Sequence, residues 1–269
     1  MTAERFRLNI SFGLITLLVT VAILAPLSVG TNGVSLHNSE INSSQTEKLS
    51  VDGPRPVAKA IEALEAKYGV AISYEDPRYI HEGDIVDETD PKYRQANPNG
   101  FRALTPKGSR LEINYRVPSA TQQPEDTGRV IQAVLDAHAA TGGAGRFQLK
   151  RTGQLFHVVP SQVKDQAGKW VNQSSILDLP IIFPKQERTA LKTVELMARL
   201  LSQAAKIPVT IGIAPWTPLI RQSVDLEGTN ESARDVLMKV LNSVEGRFSW
   251  QLFYAPSMKS YFLNIHRVK

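Results

Sequence analysis

The succession of helix and strand candidates between residues 48 and 269 occurs twice in the same order, and this repeat constrains the fold more than any other feature. Each copy has a strand, an amphipathic helix and a strand, then a strand, a second amphipathic helix and a hairpin. Both hairpins start with the tripeptide GRF, at residues 145–147 and 246–248. Because six elements agree in order, we interpret the pattern as a duplication rather than as the ordinary alternation of helices and strands.

The second helix of each copy gives the clearest alignment. Its apolar positions match one for one: Val130 with Val236, Ile131 with Leu237, Val134 with Val240, and Leu135 with Leu241. A GRF stretch follows each helix, and we expect its glycine to turn the chain, its arginine to face solvent and its phenylalanine to face the core. These residues are Gly145, Arg146 and Phe147 in the first copy, and Gly246, Arg247 and Phe248 in the second.

The repeat also predicts where domains begin and end. The fold class that we expect is α+β, with two tandem small β-α-β/β-α-β-β domains after an N-terminal signal peptide or membrane anchor. The first copy has an insertion at about residues 75–110 that the second copy lacks. The predicted segments are the signal peptide or single transmembrane anchor (1–30), a polar linker (31–47), a first α+β domain (48–165), a linker (166–177) and a second α+β domain (178–269).

The N-terminal segment predicts export. Residues 8–30 carry no charge and follow Arg5 and Arg7, which is typical of a signal peptide or of a single membrane anchor. The small residues Ser28 and Gly30 fit a cleavage site. In either case the arginines stay in the cytoplasm, so we expect a protein that is periplasmic or anchored in the inner membrane facing the periplasm.

Composition excludes several classes of protein. The chain has no cysteine, which excludes disulfides and thiolate chemistry and favours a bacterial cell envelope over a disulfide-dependent secreted domain. The net charge is only +5, without a block of five or more basic residues. A nucleic-acid groove clusters basic residues with aromatic ones, so we expect no nucleic-acid partner.

Motifs for cofactors or catalysis are not found. The glycine-rich segment at residues 141–147 follows a helix and precedes a strand, whereas a dinucleotide loop joins a strand to the N-terminus of a helix. We interpret it as a helix C-terminus with a connection and expect no cofactor. The histidines lack the spacing of a zinc site. We expect His157 and His266, in the last strands of the two hairpins, to point to solvent or to a partner, and we expect no enzymatic activity.

The insertion is the best functional candidate in the first copy because it is acidic. Oxygen-rich loops can bind calcium, and paired carboxylates can act in acid–base catalysis. The spacing does not match an EF-hand, and a solvated acidic loop accounts for the same pattern. Aromatic side chains of the insertion either pin it to the domain or contact a partner. The candidate contact residues are Tyr79, Tyr93, Asp84, Asp87 and Asp90.

Trp216 is the candidate contact residue of the second copy. It lies between Pro215 and Pro218, directly after a predicted strand. An exposed Trp in a rigid turn is a typical anchor for a partner protein. A Trp in the same place could equally cap the core from one side.

Two patterns in the second copy are shared with a known family. One is a strand ending x-L-x-G, and the other is a helix of the type s-A-x-x-x-L-x-x-L-L. Val224, Leu226 and Gly228 occupy the first pattern, and Ala233, Leu237, Val240 and Leu241 occupy the second. With these patterns, residues 178–268 resemble the short N-terminal domain of secretins and TonB-dependent transducers. The resemblance implies a fold rather than chemistry, because these are packing positions, and it implies a domain that binds other proteins in the periplasm.

The sequence therefore predicts an exported bacterial envelope protein that acts as a non-enzymatic protein–protein interaction module. Its expected partner is an envelope or periplasmic protein, and the inner membrane is a second partner if the N-terminal segment is not cleaved. The alternative is a periplasmic protein that binds a divalent cation or a saccharide, or a hydrolase, using the acidic insertion of the first domain.

Overall fold

The computed structural model describes residues 45–119 and 123–269. The predicted signal peptide or anchor and most of the polar linker lie outside the described residues. Within the described part, no helix combines the length and the apolar character needed to cross a membrane. The described residues belong to one compact unit. The described ranges contain six α-helices and thirteen strands, so the predicted α+β class is confirmed.

The first copy contains the predicted elements and three more in its insertion. In chain order they are β1 (Thr46–Val51), α1 (Pro56–Tyr68), β2 (Ile72–Glu75), the insertion elements β3 (Ile85–Asp87), α2 (Pro91–Ala96) and β4 (Leu104–Pro106), and then β5 (Leu111–Arg116), α3 (Gln123–Ala140), β6 (Arg146–Thr152), β7 (Leu155–Lys164) and β8 (Trp170–Asn172).

The second copy repeats this order with a short helix in place of the insertion. Its elements are β9 (Pro180–Thr189), α4 (Ala190–Ala205), β10 (Val209–Ile211), α5 (Trp216–Arg221), β11 (Ser223–Ser232), α6 (Ala233–Ser243), β12 (Phe248–Ala255) and β13 (Ser260–Arg267). Trp216 thus begins a helix rather than lying in the predicted turn.

Strand pairing follows the repeat. β1 pairs antiparallel with β5, and β9 pairs antiparallel with β11. β2 lies parallel to β7, and β10 lies parallel to β13. The two hairpins, β6–β7 and β12–β13, are antiparallel. Each copy therefore consists of a two-stranded sheet, two helices and a three-stranded sheet, connected in the same way.

The two copies share one sheet. β12 of the second copy pairs in parallel with β2 of the first copy, which gives the order β10-β13-β12-β2-β7-β6, with β8 attached to β7. The predicted linker at 166–177 contains β8 and joins two parts of this sheet rather than two separate sheets. The copies are thus joined head to tail, and the sheet ends at β10 on one side and at β6 on the other.

The helices of the two copies lie on opposite faces of the shared sheet. Register partners point to the same face, so Tyr74 shares a face with Gln251, and Glu75 shares the other with Leu252. Tyr74 packs in one core cluster with α1 and α3, whereas Leu252 packs in the other with α4 and α6. The two copies are therefore related by a rotation of about 180° around an axis that runs through the sheet, perpendicular to its strands.

Local sequence determines the helix ends. In the second copy, Thr189 and Ser232 cap α4 and α6, because their side chains accept hydrogen bonds from the backbone N–H groups of Lys192 and Asp235. The helix α1 has Pro56 in its first turn and ends at Gly69 with a positive φ of 60°.

The predictions for the two GRF stretches are confirmed. Both glycines have positive φ, 76° at Gly145 and 117° at Gly246, at the point where the second helix gives way to the hairpin. Both arginines are exposed. Phe248 is buried in the core of the second copy, and Phe147 packs against the core of the first.

Candidate docking surface

The acidic residues of the insertion hold it in place instead of gathering around one point. Asp84 is buried, and its Oδ1 accepts a hydrogen bond from Nζ of Lys164 on β7 at 2.7 Å. Asp87 pairs with Arg94 at 3.0 Å and with Arg102 at 2.9 Å. Asp87 therefore forms ion pairs within the insertion, and Asp84 links the insertion to the sheet.

Asp90 has a local structural role. Its Oδ1 accepts hydrogen bonds from the backbone N–H groups of Lys92 at 2.7 Å and Tyr93 at 3.1 Å, which caps α2. Across residues 45–119 and 123–269, no group of three His, Cys, Asp or Glu residues is placed to hold a metal ion. The carboxylates of the insertion therefore do not form a cluster of metal ligands in the described part of the chain.

Of the two candidate tyrosines, only one is accessible. Tyr79 is 3% exposed, and its hydroxyl donates to Oδ1 of Asp76, the residue after β2, at 3.0 Å. Burial raises the pKa of the Tyr79 phenol well above its usual value. Tyr93 is 45% exposed. Of the candidate contact residues in the insertion, Tyr79 and Asp84 are buried, whereas Asp87, Asp90 and Tyr93 keep accessible atoms.

His157 does not point to solvent as expected. It is 1% exposed, because β7 lies inside the shared sheet. Its Nδ1 forms a hydrogen bond with Oγ of Ser73 at 2.8 Å, and its ring lies 5.3 Å from that of Trp250. Desolvation lowers the pKa of His157 to about 4, and the positive charges of Arg234 and Lys150 contribute in the same direction. The buried imidazole is therefore neutral at physiological pH.

His266 is partly exposed but does not form a catalytic relay. Its Nε2 lies 2.6 Å from Oε1 of Glu65 and 2.7 Å from Oγ of Ser249. In a catalytic relay, the nucleophile and the orienting carboxylate contact different nitrogens of the histidine ring. Here both groups contact Nε2. Ser249 is also fully buried, so its hydroxyl is out of reach of a substrate. The cluster joins β12 and β13 to α1 and thereby strengthens the contact between the copies.

The junction between the copies is a strand-docking site that is filled within the molecule. β12 lies along the edge of β2, with Gln251 opposite Tyr74, and the backbone N–H of Asp76 donates to the carbonyl oxygen of Leu252 at 2.7 Å. Gln251 Nε2 donates to Oε1 of Glu62 on α1 at 2.7 Å. The docked strand thus makes contacts with both the sheet edge and the adjacent helix.

Aromatic contacts complete the docked strand. The ring of Phe253 lies 6.0 Å from that of Tyr74, and the guanidinium of Arg55 lies 4.9 Å from the Phe253 ring centre. Arg55 Nε also donates to Oδ2 of Asp76 at 2.6 Å, and Arg55 Nη2 donates to the carbonyl oxygen of Tyr254 at 2.6 Å. Once covered in this way, Tyr74 is 1% exposed.

The repeat identifies the equivalent positions in the second copy. Val158 opposes Tyr74 in the sheet. In this parallel pairing an N–H donates to the residue before the register partner, as Phe156, opposite Ile72, donates to Ala71. The N–H of Ile265, the counterpart of Val158, donates to the carbonyl oxygen of Ile213 at 2.8 Å, so Ile213 corresponds to Ser73 and the buried Ala214 corresponds to Tyr74.

α1 and α4 are followed by left-handed residues, Gly69 and Lys206. Arg199 lies seven residues before Lys206, and Glu62 lies seven residues before Gly69. Arg199 therefore corresponds to Glu62.

The surface around these positions is open. A groove of about 770 Å³ lies between the C-terminal half of α4, residues 206–211 and Trp216. Trp216, which lines the groove, is 45% exposed. Among the described strands, none pairs with the outer edge of β10. We call this surface, formed by Arg199, Lys206, Ile211 and Trp216, the β10 groove.

Positive charge dominates the β10 groove. Arg199 and Lys206 line it together with Glu195. In the part of the chain that the structure describes, none of these three side chains has an ion-pair partner within 4.0 Å. The helix position that carries a carboxylate in the first copy, Glu62, thus carries an unpaired guanidinium in the second.

Sequence reasoning identified Trp216 but missed Arg199. The repeat contains the signal for Arg199, because its counterpart Glu62 lies at the filled junction. That signal becomes readable only when the pairing of β12 with β2 is known.

No known protein family, curated protein or solved structure significantly matches this chain. The functional interpretation therefore depends on the geometry of the chain itself, above all on one filled strand-docking junction and one equivalent open groove.

Proposed function

We propose that this chain is an exported bacterial envelope protein that binds another protein through the β10 groove and has no enzymatic activity. The observation that carries the proposal is the contrast between the edges of β2 and β10. The two strands occupy the same place in the repeat, yet β12 covers the edge of β2, whereas no described strand pairs with the outer edge of β10. Exposed sheet edges flanked by apolar side chains are a common means of protein recognition.

The positions of the polar groups support binding rather than catalysis. Ser73 and Ser249, the two serines with a histidine in hydrogen-bond contact, are both fully buried. Asp84 and Asp87 are paired with basic side chains. Trp216, by contrast, presents apolar surface to solvent beside a sheet edge. Tryptophan is enriched among residues that dominate the affinity of protein interfaces.

Sequence features outside the described residues support export. The uncharged segment at 8–30 follows two arginines, and the chain has no cysteine. The resemblance of residues 178–268 to the short N-terminal domain of secretins and TonB-dependent transducers is in line with binding to a periplasmic protein. These features favour a partner in the cell envelope.

Site-specific photocrosslinking in intact cells tests the proposal. A benzophenone amino acid replaces Thr210, an exposed residue in the groove, or, as a control, Met258, which is 53% exposed at the β12–β13 turn. We expect a crosslinked species of defined mass from position 210 that is lost when Trp216 is changed to Ala. Equal crosslinking from both positions, or no species from position 210, would contradict the proposal. Fractionation of the same cells locates the protein.

A further inference from the structure

We propose that a second cavity, at the seam between the two copies, binds a small amphipathic anion with an apolar body and one negatively charged group. This cavity has a volume of about 790 Å³ and shares no lining residue with the β10 groove. It is bounded by the end of α1, the β6–β7 turn, the C-terminal half of α6 and the residues that lead into β2 and β12. Ligand pockets of this size are common where two domains meet. We call it the seam cleft.

The seam cleft opens because β2 and β12 pair over a very short stretch. In the ladder between the two strands, only Tyr74 and Glu75 of β2 face partners on β12. The N–H of Ile72, two residues before Tyr74, donates instead to Oε2 of Glu65 on α1 at 2.9 Å. Ladder hydrogen bonds therefore do not hold the first residues of the two strands together, and the cleft lies between these strand ends.

Apolar side chains form part of the wall of the seam cleft. Val70, Leu155 and Met238 line it, and each of them is only partly buried. Phe248, the first residue of β12, lies beside them and is buried. Methionine adapts to ligands of different shape because its side chain is unbranched and flexible. These residues provide contact for the apolar body of a ligand, which in water would remain exposed.

The charged side chains at the seam cleft are all basic. Arg247 and Lys269 line it, whereas none of the described lining residues is Asp or Glu. A third cation borders it, because a Cβ on Gly246 would lie 2.8 Å from Nε of Arg267. Within residues 45–119 and 123–269, none of these three basic side chains has an ion-pair partner within 4.0 Å. The cleft therefore favours a negatively charged ligand.

Arg247 is held in position and keeps free donors for such a ligand. Its Nη1 donates to the carbonyl oxygen of Gly69 at 2.8 Å, and its Nη2 donates to that of Lys269 at 3.3 Å. A guanidinium has five N–H donors, so three remain. A carboxylate, sulfonate or phosphate group accepts from such donors more strongly than a neutral group does.

Other classes of ligand match the seam cleft less well. A divalent cation requires oxygen ligands with negative charge, and the described lining residues provide no carboxylate side chain. A saccharide would leave the apolar surface of Val70, Leu155 and Met238 without an apolar partner. An anion with an apolar body satisfies both parts of the lining.

Two fluorescent probes that differ by one charged group test the proposal. Anilinonaphthalene sulfonate carries a sulfonate on an aromatic body, and phenylnaphthylamine has the same body without the sulfonate. Fluorescence titration of the full chain measures the affinity of each probe. We expect the sulfonate probe to bind at least about tenfold more tightly than the neutral probe. Equal affinities would overturn the proposal.

Variants then locate the bound probe. Arg247→Gln should reduce the preference for the sulfonate several-fold, and Lys269→Gln repeats the test at a second cation. Asn242→Trp places an indole in the cleft from the exposed side of α6 and should weaken both probes. The matched control is Arg199→Gln, which removes a guanidinium from the β10 groove and should change neither affinity. If only Arg199→Gln weakens the sulfonate probe, the anion binds in the β10 groove, which overturns this inference and leaves the proposed function standing.

Competition identifies the apolar body of the ligand. Decanoate represents an acyl chain, and naphthoate represents a compact ring system, each with one carboxylate. We expect at least one of the two to displace the sulfonate probe from the parent chain and to do so less effectively from the Arg247→Gln variant. Displacement by neither would mean that the cleft accepts the dye only, and it would overturn the proposal.

Discussion

Glu75 of the first copy and Arg234 of the second form a buried, bidentate ion pair that joins the two copies. Nε of Arg234 donates to Oε1 of Glu75 at 3.1 Å, and Nη2 donates to Oε2 at 2.7 Å, although the residues are 159 positions apart in the chain. The indole of Trp250 also donates to Oε1, and Asp178 provides a second carboxylate for Arg234. Both charges are nearly inaccessible to solvent, so each depends on the other.

We expect Arg234→Ala to reduce the free energy of unfolding by about 3–5 kcal/mol, because it leaves the carboxylate of Glu75 buried without its partner. Urea unfolding followed by circular dichroism measures this loss. The double variant Glu75→Ala/Arg234→Ala should lose clearly less than the sum of the two single variants. Additive losses would mean that the pair does not couple the copies.

Tyr74 and Ile213 should differ sharply in their contribution to stability. Tyr74→Ala removes a covered aromatic ring and should cost about 3–5 kcal/mol. Ile213→Ala changes a side chain that is 63% exposed and should remain within about 0.5 kcal/mol of the parent chain. Thermal and urea unfolding of the two variants provide the comparison. A large loss from Ile213→Ala would indicate that Ile213 is covered in solution.

His157 should make stability depend on pH. The pKa of His157 is about 4 in the folded state, whereas a histidine in the unfolded chain has a pKa of about 6.5. Between these values the unfolded chain binds more protons, so the stability that His157 contributes is complete above about pH 6.5 and decreases as the pH falls towards 4. The expected loss from this residue is about 3 kcal/mol, measured by urea unfolding at several pH values.

The variant His157→Asn provides the control for this pH dependence. Asparagine keeps a polar atom near Oγ of Ser73 but does not titrate. Its unfolding free energy should decrease less steeply between pH 6.5 and 4 than that of the parent chain. Identical slopes would show that other groups are responsible for the acid sensitivity.

Two glycines in one loop allow a matched test of the first GRF stretch. Gly142 has a φ of 68°, and no atom lies within 4 Å of the carbon that alanine would add, so Gly142→Ala should cost only about 1 kcal/mol. At Gly145, with a φ of 76°, the added carbon would lie 2.8 Å from Cγ of Pro77, and Gly145→Ala should cost about 2–3 kcal/mol. Equal losses in unfolding experiments would argue against the close approach of Pro77.

Local patterns explain which parts of the fold were predictable. The apolar stripe of α6 could be predicted because helical spacing and core packing are set within a few turns; it consists of Val236, Leu237, Val240 and Leu241. The turn at Gly145 could be predicted because a glycine follows a helix and precedes a strand. These features depend on neighbours in the sequence, and the repeat provides two independent instances of each.

Contacts between distant residues explain what was missed. The burial of His157 depends on β2, β6 and the Trp250 ring, and alternation in β7 alone could not distinguish a covered face from an exposed one. The acidic insertion looked like a possible ion site because the partners of its carboxylates, Arg55 and Lys164, lie elsewhere in the chain. Trp216 was recognised from its flanking prolines, but the role of Arg199 depends on the pairing of β12 with β2.

The head-to-tail junction also determines the order in which the chain can become fully folded. β2 is among the first strands to be synthesised, yet its partner β12 belongs to the last hairpin. Until that hairpin arrives, the edge of β2 and the carboxylates of Glu75 and Asp76 lack their contacts with β12. A pairing this distant closes slowly because it must overcome the entropy of a long loop. Nascent chains therefore expose an acidic, unpaired strand edge that β12 covers in the folded molecule.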